Sequence, residues 1–159
     1  MNTLANALLA FCRWCNGSFF GHGIRDSAWL FPFVEVFHLL ALALLGGSVL
    51  VIALAVLGIG LKTPVAELHR SARKYLNTAV IVLLLTGLLL GVSEPVKLYG
   101  RQAFWVKMMS LALALPITYF LFNPQAAKGG RSRGAQAAAV LTLAAWLMVA
   151  MAGRWIGFS

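Results

Sequence analysis

The chain has 159 residues, of which 61% are hydrophobic and 11% charged, and its mean hydropathy is +0.86. Soluble domains carry about 45–50% apolar and roughly 25% charged residues, so this composition excludes a soluble globular domain and points to an integral membrane protein. The net charge of +9 does not make it a nucleic-acid binder: the basic residues fall mainly between apolar segments, as the positive-inside bias requires, and no nucleic-acid motif accompanies them.

The chain opens on "MNTLANALLAFCRWCNGS", a short apolar run with no basic residue before it and no small-x-small cleavage site after it. Phe11 stands where a lipoprotein signal needs a small residue. Residues 1–28 are therefore expected as a retained segment with a short helix lying in the membrane interface, a cleaved signal being the alternative. Cys12 and Cys15 are the only cysteines. Asn16 occupies the position where a c-type haem attachment needs histidine, and His22 is the only nearby extra ligand for a zinc ion. The pair reads as a disulfide facing an oxidising periplasm or as incidental thiols, with the second favoured.

A four-helix transmembrane domain is expected over 29–159, with spans at 30–61, 75–93, 103–122 and 135–152. Each has about the 20 residues needed to cross a hydrocarbon core. The first is longer, so it must tilt, kink near Gly46 and Gly47, or project beyond the bilayer. In the second, Gly87 and Gly91 are four apart, a spacing that reads as ordinary close helix packing. Pro116 is expected to kink the third. The short connections make neighbouring helices antiparallel, which gives an all-α, up-down-up-down bundle. Loops one and three hold Lys62, Arg70, Arg73, Lys74, Lys128, Arg131 and Arg133, denser than the basic residues elsewhere. That bias puts both loops in the cytoplasm and both termini in the periplasm of a bacterial inner membrane.

Polar groups inside a bilayer are costly, so each needs a reason. Glu35 and His38 fall about 9 and 14 Å along the first helix at 1.5 Å per residue, and three-residue spacing makes them helical neighbours. Glu94 ends the second helix, Lys107 lies about one turn into the third, and Arg154 closes the fourth. The five thus belong to one leaflet, with charges that nearly neutralise one another. Lys107 and Arg154 can also snorkel and Glu94 is interfacial, but Glu35 and His38 lie too deep for that. The cluster is either a binding pocket or a structural ion network.

Three occupants fit such a pocket. A b-type haem would use His38 as axial ligand, but His69 lies at the opposite face and His22 in the tail, which leaves Met108, Met109 or Met151 as sulfur ligands. Copper would pair His38 with methionine sulfur. A quinone needs only one or two hydrogen-bonding groups beside an apolar slot and fits most simply. A di-iron site would need a second Glu-x-x-His, and Glu67-Leu68-His69 has the wrong spacing.

Together "WLFPFVEVFHLLALALLGG", "TGLLLGVSE", "FWVKMMSLALAL" and "AGRWIGF" resemble a family of small bacterial four-helix membrane proteins labelled only as a domain of unknown function. The resemblance covers most of 29–158, and the family's recurrent polar positions match Glu35, His38, Glu94, Lys107 and Arg154. More distantly, the arrangement is similar to the copper-resistance D family and other cytochrome-b-like bundles. Those relatives imply haem or copper, while the nearer family implies a fold and no activity.

The expectation is a membrane subunit of a redox complex with no catalytic activity of its own, anchoring a membrane or periplasmic partner. It would bind a quinone or haem through His38, oriented by Glu35 and charge-balanced by Lys107 and Arg154. A purely structural or assembly subunit is the alternative, and a copper-handling or small-solute transport protein a third.

Overall fold

The computed structural model describes residues 29–156 together with Ala10, Ser27 and Phe158. The expected interfacial helix over 1–28, the Cys12 and Cys15 pair and His22 lie outside the described residues. Helix α1 spans Leu30–Leu57, α2 Val65–Ser93, α3 Pro95–Tyr99 and α4 Gln102–Pro116. A π-helical segment, Ile117–Phe122, leads into α5, Asn123–Ala127, and α6 covers Arg133–Ile156. Among the described residues there is no strand. Four stretches are long and apolar enough to cross a membrane: α1, α2, the continuous run Gln102–Ala127, and α6.

Local chemistry sets the ends of these elements. Gly58 stops α1 with φ +77°, a left-handed geometry that glycine adopts without steric cost. The Gly58 N–H bonds the Ala55 carbonyl at 3.2 Å and the Ile59 N–H bonds the Leu54 carbonyl at 2.9 Å, so α1 ends at Leu57 rather than at 61. Helix α2 begins at Val65, ten residues before the apolar run at 75. Its first turns are amphipathic: Val65, His69 and Leu76 are buried and Ala72 partly so, while Glu67, Arg70, Arg73 and Lys74 are exposed. Pro95 ends α2 by forcing Glu94 out of the helical region (φ −134°, ψ 50°) and then opens α3. Ser132 caps α6, its hydroxyl accepting from the Ala135 N–H at 3.2 Å.

Pro116 acts on the hydrogen-bond pattern of the third span. It has no N–H to donate, and directly after it the chain widens to π-helical spacing before returning to an α-helix at Asn123. Thr118 and Phe122, within the π segment, are both buried.

Helix α1 packs on α2 and α6, α4 packs on α6, and α5 lies against α2. The core between them combines Leu45, Val49, Ile52 and Val56 of α1 with Leu76, Ala79 and Leu83 of α2 and Phe122 of the third span. On α6 the buried face is mostly small, with Ala135, Ala138, Ala139 and Ala152, as expected where membrane helices approach closely. Side-chain hydrogen bonds between helices add to this packing. Trp146 donates Nε1–H to Thr118 Oγ1 at 2.9 Å, and Tyr119 donates its hydroxyl to Asn77 Oδ1 at 3.0 Å. Facing outward, Phe33, Leu88 and Met151 are 64%, 66% and 65% exposed. A surface so rich in large apolar side chains is stable against lipid and not against water.

Candidate functional site

The inner face of α1 at its N-terminal end runs through Phe31, Val34 and His38 into the buried Ala41 and Leu45. His38 Nδ1 lies 2.8 Å from Thr86 Oγ1 of α2. The Thr86 hydroxyl has one proton, and it is donated to the Val82 carbonyl at 2.6 Å. Thr86 therefore accepts from His38, which fixes the proton on Nδ1 and leaves Nε2 with its lone pair in the neutral ring. Beside Thr86, the Leu83 carbonyl also accepts from the ring.

Gly87, next to Thr86, makes room for the ring: a Cβ there would stand 3.2 Å from His38 Cε1. A Cβ at Gly91 would meet nothing within 4 Å. Of the two glycines in "GLLLG", only Gly87 has a close neighbour on another helix, and that neighbour is the imidazole.

Lys107 of α4 comes to the same place. Its charge acts on His38, and its side chain lies along α6, where a Cβ on Gly153 would be 3.5 Å from Nζ and 3.7 Å from Cε. Among the described residues Lys107 forms no hydrogen bond or ion pair. The site thus draws His38 from α1, Thr86 and Gly87 from α2, Lys107 from α4 and Gly153 from α6. All four spans contribute.

The other three residues expected in the cluster stand apart from this pair. Glu35 is exposed and makes no hydrogen bond or ion pair with another described residue; Thr86 holds the orienting position expected of it. Three residues along a helix leave side chains about 60° apart, enough to turn His38 inward and Glu35 outward. Glu94 pairs locally with Lys97 at 2.5 Å across one turn. Arg154 is exposed and stacks 4.4 Å above the ring centroid of Phe158. The mutual charge neutralisation expected of the five residues is replaced by these separate contacts. Nearby, Arg101 donates to the Ile156 carbonyl and so ties the start of α4 to the end of α6. Thr86 and Gly153 carried no sequence signal of their own, because threonine and glycine are common in membrane helices.

Chemically, the site offers an imidazole held by Thr86 and an uncompensated ammonium whose charge reaches it, at one end of an apolar bundle. No group of three or more metal-ligating side chains forms among the described residues. His69 lies 17 positions before Thr86 on α2, about 25 Å along the axis.

Fold and site together define a multi-pass, four-span helical membrane protein in contact with lipid, with a polar site set between its helices. The chain belongs to a family of unknown function, DUF6644, whose model matches residues 11–159. No curated protein and no solved structure matches it.

Proposed function

We propose that the protein is a membrane subunit of an electron-transfer complex that binds a quinone–quinol pair between His38 and Lys107. One observation supports this reading: the His38 imidazole, held by Thr86, lies within electrostatic reach of Lys107, whose ammonium has no hydrogen-bond or ion-pair partner among the described residues. A quinol hydroxyl donates to Nε2, and a quinone carbonyl, or the anionic oxygen formed on reduction, accepts from the ammonium. The isoprenoid tail belongs in the lipid around the bundle. Redox chemistry resides in the quinone, while the chain supplies position, a proton acceptor and a compensating charge. The helices are taken as antiparallel neighbours, with this end at the periplasmic face of the inner membrane and a membrane or periplasmic partner docked there.

Haem b is the second reading, because an Nδ1–H held by a protein acceptor is also how a ligating histidine is fixed. It needs a second axial ligand, for which methionine sulfur is the candidate. Lipid extraction of the purified full-length protein separates the readings. Stoichiometric quinone lost from His38→Ala is the expected result. A Soret band lost in the same variant moves the assignment to haem, and a colourless preparation free of quinone makes the site an interhelical lock.

A further inference from the structure

At the other end of the bundle, a pocket of about 420 Å³ lies between the first turns of α2 and the end of α5, lined by His69, Arg70, Arg73, Lys74 and Asn77, with Ala66 and Ala127 facing across it. Three of these side chains are basic. Among the described residues none of the three forms an ion pair; Lys74 rests instead 4.9 Å from the Tyr75 ring centroid. Glu67 is the only acid on α2 before Glu94. The connection after α5 brings further basic residues close by, since a Cβ at Gly129 would meet Ala66 at 3.6 Å and Lys128 precedes it in the chain.

A basic loop alone would be the ordinary positive-inside bias. The pocket contains more than that. His69 lines it and is 4% exposed. Asn123 Oδ1, at the start of α5, is likewise buried and close enough to act as a hydrogen-bond partner of the imidazole. Asn77, at the pocket wall, is held through its Oδ1 by the Tyr119 hydroxyl, which leaves its amide N–H groups for a ligand. The pocket sits just before the apolar run that begins at Tyr75, at headgroup depth, where basic pockets between helices take anionic headgroups.

We propose that this pocket binds an anionic phosphate group, carried by a phospholipid headgroup such as phosphatidylglycerol or by a free phosphoryl anion. Arg70, Arg73 and Lys74 supply the charge, and the Asn77 amide N–H groups the hydrogen bonds. The site is independent of His38 and Lys107.

The test uses the full-length protein in a neutral detergent, with thermal stability and retained lipid measured after adding phosphatidylglycerol, phosphatidylcholine or inorganic phosphate. Phosphatidylglycerol is expected to stabilise and to be retained, with an affinity about 100-fold weaker in R70Q/R73Q/K74Q, from roughly a fivefold factor per basic side chain. Stabilisation by inorganic phosphate alone, lost in the same variant, assigns the site to a free phosphoryl anion. Equal effects of phosphatidylcholine and phosphatidylglycerol, or anion effects unchanged in the variant, overturn the proposal. Should the triple variant fold poorly, the single substitution Arg73→Gln is expected to weaken phosphatidylglycerol binding about fivefold.

Discussion

Thr86 holds the His38 imidazole from the neighbouring helix: its hydroxyl proton is committed to the Val82 carbonyl, so its oxygen accepts Nδ1–H at 2.8 Å. This one contact joins α1 to α2 and fixes which ring nitrogen carries the lone pair. Thr86→Val removes the acceptor while keeping the shape. The expected loss is about 0.6–1.7 kcal/mol of stability, the range for interhelical hydrogen bonds in membranes, together with weaker quinol binding. Thr86→Ser should restore both. Thermal denaturation and quinone retention, measured on the same preparations, check the pair.

Gly87 and Gly91 provide a contrast within one helix turn. Gly87→Ala puts a Cβ 3.2 Å from His38 Cε1 and so displaces the ring or α1. Gly91→Ala meets nothing within 4 Å and gains helix propensity. Quinone retention should fall in the first variant and stay unchanged in the second, with the second at least as thermostable as the parent. If Gly87→Ala retains quinone like the parent, the imidazole is not held where the site requires it.

Lys107 separates stability from function. An uncompensated ammonium inside a span costs free energy, so Lys107→Met should raise the melting temperature of the quinone-free protein while abolishing quinone retention. The gain should stay below about 2.5 kcal/mol, the cost of a charged side chain at the bilayer centre. A variant less stable than the parent would identify Lys107 as a structural residue.

Much of the architecture was legible in the sequence, because apolar runs of membrane-spanning length leave little choice of fold. The start of α2 was missed because its charged residues masked a helical pattern that Val65, His69, Ala72 and Leu76 carry. Glu35 and His38 looked like partners at three-residue spacing, yet the inner stripe runs through Val34 and His38 and leaves Glu35 outside it. Thr86 could not be paired with His38 from sequence: the two are 48 residues apart, and their contact depends on how α1 and α2 pack. The burial of His69 against Asn123 depends in the same way on α5 closing over α2.

Gly58 sits at φ +77°, a conformation that costs other residues about 1–2 kcal/mol. Gly58→Ala should lower the melting temperature accordingly without changing quinone retention, because the turn it closes lies at the far end of α1 from His38. A matched loss of quinone would mean that the two ends of the bundle are coupled.

Direct titration of the full-length protein in detergent with a short-chain quinol tests the central claim most closely. The His38–Lys107 site predicts saturable, stoichiometric binding that is lost in both His38→Ala and Lys107→Met while each variant keeps its helical circular dichroism. Absence of saturable binding to the parent protein, or equal binding to folded variants, would contradict it.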